Sequence, residues 1–209
     1  MTQKTFPTNP TKDSPQEHIL AHGLQSLISD GVRGFTVESL AKELAMSKKT
    51  IYKYFPTKEK LLREIFSFVS GRITRWIRNL VTKDANPLDK FEELVMTITR
   101  NLTLVSPTRF SDIKARYPGL WREMEQFRLD RRDDFLILLE DAKKQGYIRE
   151  SLEMELTATL FMNIINSVFQ PEFFLNNRVT PAHVAETFLD IFLRGLMTEK
   201  GLKHIEDKK

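Results

Sequence analysis

Apolar residues recur along this chain with the 3.6-residue period of an α-helix, and no segment shows convincingly the strict alternation of a half-buried β-strand. Pro-containing breaks separate the periodic segments at Asn86-Pro87, Ser106-Pro107 and Tyr117-Pro118, because proline cannot continue a helix through its own position. The pattern predicts an all-α protein.

The segment 36–55 contains two short apolar stripes that are separated by Ala45-Met46. Thr36 and Ser47 precede the two stripes, and each hydroxyl can accept a hydrogen bond from an amide in the first helical turn. The second predicted helix buries Ile51 and leaves a basic, hydroxyl-rich and aromatic surface, which consists of Lys48, Lys49, Thr50, Tyr52, Lys53 and Tyr54. This arrangement is typical of a helix-turn-helix whose second helix enters the DNA major groove. The alternative is an ordinary helix pair with a solvated lysine face.

Two flanking helices would complete this unit. One is predicted to begin at Pro15 or Gln16 and to pack on the helix pair. The other begins near Lys58, where free amides, a positive dipole end and the ammonium group would together favour a phosphate. His18 and His22 have the i,i+4 spacing of a metal-binding pair, but no third ligand is evident nearby. Surface histidines are the preferred interpretation, and no metal site is predicted.

Residues 16–66 resemble the DNA-binding domain of TetR-type bacterial transcriptional regulators. The matching residues are Thr36-Val37, Leu40-Ala41, Met46-Ser47, Thr50-Ile51-Tyr52, Tyr54-Phe55 and Lys58-Glu59-Lys60-Leu61-Leu62. One departure is Ala45, where the family usually has glycine in the turn. If this residue needs a positive φ, alanine costs on the order of 1 kcal/mol there.

The resemblance implies roles for individual side chains. Lys48 and Lys49 would reach base edges, where lysine suits the O6 and N7 acceptors of guanine. Phosphate contacts would come from Thr50, Tyr52 and Tyr54, and Tyr52 would also be close to a base. Backbone anchors on either side would be Thr36, Ser47 and Lys58. Lys53 completes the predicted DNA-binding set because it faces outward.

The predicted domains are a disordered arm (1–15), the helix-turn-helix domain (16–63), a helical ligand-binding and dimerisation domain (64–200) and a polar tail (201–209). A long helix from about 58 to 82 keeps one apolar face throughout and would join the two domains. Further helices are predicted at 88–105, 110–116, 118–145, 152–170 and 181–198, with a loop at 173–177. The charged run 128–134 is interpreted as a solvated helix face.

The helices near 152–170 and 181–198 are predicted to form a homodimer interface. The first carries one ridge at i,i+4 spacing (Leu152, Leu156, Leu160, Ile164, Val168) and a second apolar ridge (Phe161, Ile165, Phe169). A helix that is apolar on two sides is buried on two sides. Two such helices per subunit could form a four-helix bundle with their copies. The alternative is that the second side covers a satellite core of the same chain.

Composition narrows the function classes. The 209 residues include no cysteine, which excludes disulfides, thiolate metal sites and a cysteine nucleophile. No apolar run is long enough to span a bilayer, and the N-terminus lacks the apolar core of a secretory signal. A cytoplasmic protein without a membrane partner is therefore expected. Residues 1–63 hold 10 Lys/Arg and 6 Asp/Glu, so the whole net charge of +4 lies in the predicted DNA-binding segment.

No catalytic constellation or phosphate-binding glycine loop is evident, so neither an enzyme nor a cofactor is predicted. The preferred function is a sequence-specific repressor that a small apolar or aromatic ligand releases from a pseudo-palindromic operator on double-stranded DNA. The candidate ligand-binding residues are Ile98, Leu102, Phe110, Trp121, Phe127, Phe161, Asn163, Asn166 and Phe169. The alternatives are a ligand-independent regulator of the same fold, and a helical small-molecule-binding protein or enzyme with an incidental helix-turn-helix.

Overall fold

The computed structural model describes residues 14–102 and 106–207. Their helices are α1 (Pro15–Gly34), α2 (Val37–Glu43), α3 (Lys48–Tyr54), α4 (Lys58–Thr82), α5 (Pro87–Leu102), α6 (Pro107–Arg116), α7 (Pro118–Leu129), α8 (Arg132–Lys144), α9 (Met154–Val168), α10 (Pro171–Asn177), α11 (Pro181–Leu196) and α12 (Glu199–Glu206). Extended pairing within these ranges is limited to one antiparallel bridge, Ile148 to Met197. The predicted all-α class is confirmed. Most of the predicted N-terminal arm, residues 1–13, lies outside the described residues.

Hydroxyl side chains fix the starts of the helices that surround the turn. Thr36 Oγ1 accepts a hydrogen bond from Ser39 N at 3.0 Å, and Ser47 Oγ accepts one from Thr50 N at 3.0 Å. Thr57 caps α4 in the same way. Each cap satisfies an amide that has no partner within its helix, which stabilises the helix by about 1 kcal/mol. The two caps predicted at Thr36 and Ser47 are confirmed.

Two clusters of buried apolar residues organise the packing. The N-terminal cluster is formed by Ile19, Leu20, Val32, Phe35, Val37, Leu40, Ala41, Ile51, Phe55, Leu61, Leu62, Ile65 and Leu120. The C-terminal cluster is larger and draws on α4, α5, α8, α9 and α11. The long helix α4 contributes to both, with Leu61 and Leu62 in the first and Ile77 and Leu80 in the second. It therefore joins the two cores as predicted, while the domain boundary at residue 63 stays a prediction.

The predicted helix 118–145 is wrong in extent, because the chain turns at Asp130-Arg131 and divides it into α7 and α8. Contacts to other helices accompany the break. Arg131 Nη1 donates to Thr74 Oγ1 of α4 at 2.8 Å, and Arg132 pairs with Glu155 of α9. The interpretation of 128–134 as a solvated face is wrong for its arginines, which bind neighbouring helices.

Two further segments, one predicted as a loop and the other as a polar tail, contain helices. Residues 173–177 belong to α10, which begins at Pro171 and buries Phe174. Residues 201–206 of the predicted polar tail belong to α12, where Leu202 and Ile205 pack against the C-terminal cluster. Both segments are short, and their stability comes from burying an apolar side chain against the body of the protein rather than from intrinsic propensity. No helix of residues 14–102 and 106–207 has the length and apolar content that a membrane span requires.

Ala45 lies in the turn between α2 and α3 with a φ of +51°, so this turn position does need a positive φ. A residue with a Cβ atom is strained in this region, whereas glycine is not. We expect Ala45→Gly to raise the free energy of unfolding by about 0.5–1 kcal/mol, measured by urea denaturation. Ala41→Gly, within α2, is the matched control and should lower it by about 1 kcal/mol or more. A loss of stability in the Ala45 variant would contradict the strain argument.

Candidate nucleic-acid interface

Helix α3 is held to the N-terminal cluster by its apolar side and leaves its other side open. Ile51 is fully buried and Phe55 is 5% exposed, so these two side chains anchor the helix. Lys48, Lys49 and Lys53 are exposed, and Tyr52 is 40% exposed. No part of the described chain covers this surface. A short basic helix supported on one side is the geometry that allows entry into a major groove.

Lys48 is paired within the protein. Its Nζ lies 2.6 Å from Oε1 of Glu38 in α2, and both side chains are more than half exposed. The hydrogen bond to Glu38 raises the pKa of Lys48, and the same bond lowers the pKa of Glu38. An exposed pair of this kind contributes little to stability, so Lys48 can exchange Glu38 for another acceptor. Glu38 lies in α2, ten residues before Lys48, so the pattern of α3 alone does not indicate this carboxylate.

Thr50 and Tyr54 are more buried than the lysines of this surface, whereas Tyr52 is exposed. Thr50 is half-buried, and its Oγ1 lies 2.8 Å from Ser47 Oγ. Tyr54 is also half-buried, and its ring centroid lies 6.3 Å from that of Phe55. These residues connect the exposed side of α3 to its support, whereas Thr36 is exposed at the start of α2.

Lys58 binds backbone carbonyl groups at the end of α1 and in the link to α2. Its Nζ donates to the carbonyl oxygens of Val32, at 3.1 Å, and Phe35, and it lies 5.5 Å from the centroid of the Phe35 ring. Burial lowers the pKa of Lys58, and the nearby positive charge of Arg116 lowers it further. An ammonium group has three donors, so one remains for a further acceptor. The role of Lys58 at a phosphate stays a prediction.

A cavity of about 270 Å³ lies among α4, α5, α7, α8, α9 and α11. Four of the predicted ligand-binding residues line it: Ile98, Phe127, Phe161 and Phe169. The lining also contains Arg128 and Arg131, which the sequence argument assigned to solvent. Their hydrogen-bond partners, Asn166 and Thr74, are distant in sequence, so no local signal marks these two arginines.

Phe110, Trp121, Asn163 and Asn166 were also predicted to bind a ligand but do not line the cavity. Trp121 is 3% exposed in the core and packs edge-on against Phe110, with the ring centroids 6.0 Å apart. Asn166 Oδ1 accepts a hydrogen bond from Arg128 Nε at 3.0 Å, so this residue contacts a cavity-lining side chain. Asn163 is exposed on α9. The side chain of Leu102 lies outside the described residues.

Helix α6 contacts both halves of the protein. On one side, Arg109 donates to the carbonyl oxygens of Ile28 and of Ser29, at 2.7 Å from the latter, at the end of α1. On the other side, Lys114 Nζ lies 2.9 Å from Glu172 of α10 and 3.0 Å from Oε1 of Gln170. Helix α6 therefore connects α10 to the helix that supports α2 and α3.

The two apolar ridges of α9 have different surroundings. Phe161, Ile165 and Phe169 face the cavity. On the other ridge, Leu156, Leu160 and Ile164 are 53%, 51% and 40% exposed, and Ile191 of α11 is 66% exposed. Gly195, one turn after Ile191, has no neighbouring atom within 4 Å of a Cβ position. The described chain leaves Leu156, Leu160 and Ile164 uncovered, contrary to the alternative of a satellite core, whereas Leu152 and Val168 at the ends of the ridge are half-buried.

Comparisons with known proteins agree with this geometry. Residues 19–65 match the family model described as "Bacterial regulatory proteins, tetR family". The chain is 23% identical over 185 residues to the uncharacterized HTH-type transcriptional regulator YvaF of Bacillus subtilis, covering 88% of this chain and 96% of YvaF. It is 31% identical over 149 residues to the nucleoid occlusion factor SlmA of Photorhabdus laumondii, covering 69% of this chain and 63% of SlmA.

Solved structures share the fold. The reduced form of NemR from E. coli has a TM-score of 0.66 at 17% identity, covering 88% of this chain and 96% of that chain. The fatty acid degradation regulator FadR from Bacillus halodurans has a TM-score of 0.60 at 18% identity, covering 88% of this chain and 97% of that chain.

Proposed function

Because this chain is a TetR-type transcriptional regulator, we propose that it is a homodimeric repressor whose affinity for its operator is set by a small molecule. The observation that carries the proposal is the exposed basic surface of α3, whose apolar side is anchored in the N-terminal cluster. The protein acts on DNA in the cytoplasm. The cavity and the exposed ridge of α9 support the ligand and the dimer, respectively.

In this proposal, α3 lies in the major groove and its residues divide into two groups. Lys48 and Lys49 contact base edges and choose the sequence, since lysine suits the acceptors of guanine. The phosphate-contacting group fixes the register of the protein on the duplex, and it consists of Thr36, Ser47, Thr50, Tyr52, Lys53, Tyr54 and Lys58. Glu38 holds Lys48 in the free protein and releases it when DNA supplies another acceptor.

The dimer forms through the helices near 152–170 and 181–198, where Leu156, Leu160, Ile164 and Ile191 are exposed. Two copies related by a two-fold axis present two α3 helices to one duplex. Half-sites one helical turn or more apart then give a pseudo-palindromic operator.

The switch is mechanical. A ligand in the cavity contacts α4, α5, α8 and α9 and favours one arrangement of the C-terminal core. Helix α6, bound to α1 through Arg109 and to α10 through Lys114, passes that arrangement to the DNA-binding helices. The ligand changes operator affinity only as far as it prefers one state over the other.

Selection of bound oligonucleotides from random and genomic DNA tests the proposal. A pseudo-palindromic sequence should be enriched, and enrichment should be lost when Lys48, Lys49 or Tyr52 is replaced by alanine. A helical enzyme or carrier with an incidental helix-turn-helix would enrich no sequence, and this outcome would exclude the repressor.

Replacement of Lys58 separates its two roles. We expect Lys58→Ala to weaken binding to operator and to unrelated DNA by the same factor, and to lower the slope of log affinity against log salt by about 1 per subunit. A gel-shift series between low and moderate salt measures this. Lys60→Ala is the control, because Lys60 is paired with Glu64 on α4. An unchanged salt slope would assign Lys58 to the α1–α2 connection alone.

A further inference from the structure

The lining of the cavity is apolar except for a few side chains. Phenylalanines dominate it, and the rings of Phe135 and Phe161 stack with centroids 4.0 Å apart. The charged residues in the lining are Arg128, Arg131 and Asp134. Two guanidinium groups and one carboxylate leave an excess of one positive charge in a largely apolar site.

The guanidinium of Arg128 is only partly satisfied. Its Nε donates to Asn166 Oδ1 at 3.0 Å, and its Cζ lies 5.5 Å from the centroid of the Trp121 ring. Its Nη2 is buried and has no hydrogen-bond partner among the described residues. A buried donor without an acceptor is costly, and more so when it is charged.

Arg131 has the same property one turn further along. Its Nη1 donates to Thr74 Oγ1 at 2.8 Å and lies 3.3 Å from Asp134 Oδ2. Its Nε is buried and lacks a partner among the described residues. Two cavity-lining arginines therefore each keep a buried N–H that no described residue satisfies.

The carboxylates around these arginines do not neutralise both of their positive charges. Asp134 pairs with Arg131. Glu125 is near Arg128, but its Oε1 already accepts from Trp121 Nε1 at 2.9 Å and Gln170 Nε2 at 2.7 Å. Burial lowers the pKa of Arg128, and this effect is larger than the opposing effect of Glu125. An added anion would offset the cost of burying the Arg128 charge, whereas an added cation would be repelled by both guanidinium groups.

The size of the cavity limits the ligand. A water molecule occupies about 30 Å³ in the liquid, so 270 Å³ corresponds to about nine non-hydrogen atoms. This is at the small end of ligand-binding pockets. A compact apolar body with one acidic group matches both the volume and the distribution of charge.

We propose that the effector is a small monocarboxylate with an apolar body among the phenylalanines. Its carboxylate accepts hydrogen bonds from Arg128 Nη2 and Arg131 Nε once the two guanidinium groups, whose polar atoms are covered in the free protein, turn toward the cavity. This inference rests on the proposed function and names the ligand class of its cavity. A carboxylate has enough acceptor sites for both arginines, and hydrogen bonds to ionised groups are the stronger ones.

The test compares acids with matched neutral and cationic compounds on the full-length protein. Isothermal titration at pH 7 measures the affinities of octanoate, octan-1-ol and octylamine, and of benzoate and benzyl alcohol. At least one acid should bind ten-fold or more tightly than its own alcohol, since a charge-assisted hydrogen bond contributes on this scale. The two series distinguish an alkyl from an aromatic body. Equal affinities of acid and alcohol, a preference for the amine, or no binding of any probe would each overturn the proposal.

Variants locate the site. Arg128→Met and Arg131→Met should each remove most of the preference for the acid and leave the affinity for the alcohol within about three-fold, because methionine keeps much of the apolar volume. Arg132→Met is the control, since Arg132 pairs with Glu155 and does not line the cavity. Retention of the full preference in both cavity variants would also overturn the proposal. If a variant fails to fold, the comparison of probes on the unmodified protein still decides.

Measuring operator selection in parallel distinguishes a failure of this ligand class from a failure of the proposed repressor function. Loss of carboxylate binding with intact operator selection would reject the ligand class only. Carboxylate binding without operator selection would reject the repressor and retain the site.

Discussion

Replacing Leu160 by glutamate is expected to convert the protein to a monomer and to lower operator affinity by at least 100-fold. Leu160 is 51% exposed between Leu156 and Ile164 on the ridge of α9 that the described chain leaves open. In a symmetric dimer the substitution places two carboxylates in an apolar interface, and an unpaired buried charge costs several kcal/mol. A monomer would also lose the second half-site contact, which the dimer makes at a high effective concentration.

Sedimentation velocity and a gel-shift titration measure the two parts of this prediction. Ile137→Glu is the matched control, because Ile137 is 50% exposed on α8, outside the ridge. The control should remain dimeric and retain its operator affinity. A Leu160→Glu protein that sediments as a dimer would show that the ridge is not the interface.

Tyr52→Ala is expected to abolish detectable operator binding while the protein remains folded and dimeric. Tyr52 is 40% exposed on the open side of α3, so its removal leaves the anchoring residues Ile51 and Phe55 in place. The variant loses a contact to phosphate and the ring surface close to a base. Because the dimer carries two copies, a loss of about 1.5–3 kcal/mol per contact is counted twice.

Tyr52→Phe separates the two contributions of this residue. It keeps the ring and removes only the hydroxyl, so a partial loss of affinity is expected in a fluorescence-anisotropy titration with operator DNA. Circular dichroism and sedimentation confirm fold and dimer in both variants. Unchanged operator affinity in a folded, dimeric Tyr52→Ala protein would remove α3 from the proposed interface.

The helix-turn-helix was accessible to sequence reasoning because its signals are local. The hydroxyls of Thr36 and Ser47 each bond an amide three residues along the chain. Burial of Ile51 and exposure of Tyr52 follow from their adjacent positions on one short helix. The positive φ of Ala45 also depends only on the turn it occupies. None of these features requires knowledge of distant residues.

The residues of the candidate ligand site could be predicted from the sequence only in part. Phe127, Phe161 and Phe169 were predicted to bind a ligand, and all three line the cavity, while their role in binding stays a prediction. Arg128 and Arg131 also line it, although a charged run on a helix is usually solvated. Their burial depends on Asn166 and Thr74, which are distant in sequence and supply the hydrogen bonds. No local pattern carries that information.

The sequence by itself determined the helices of the helix-turn-helix, the caps at Thr36 and Ser47 and the basic surface of α3, because each depends on residues within one or two turns. Only the tertiary structure decided which ridge of α9 faces the cavity and which stays exposed, since both ridges are equally apolar. It likewise decided that the chain turns between α7 and α8 and that α12 packs as a helix. The physical reason is that burial is a property of the neighbours a helix meets, and those neighbours come from distant parts of the chain.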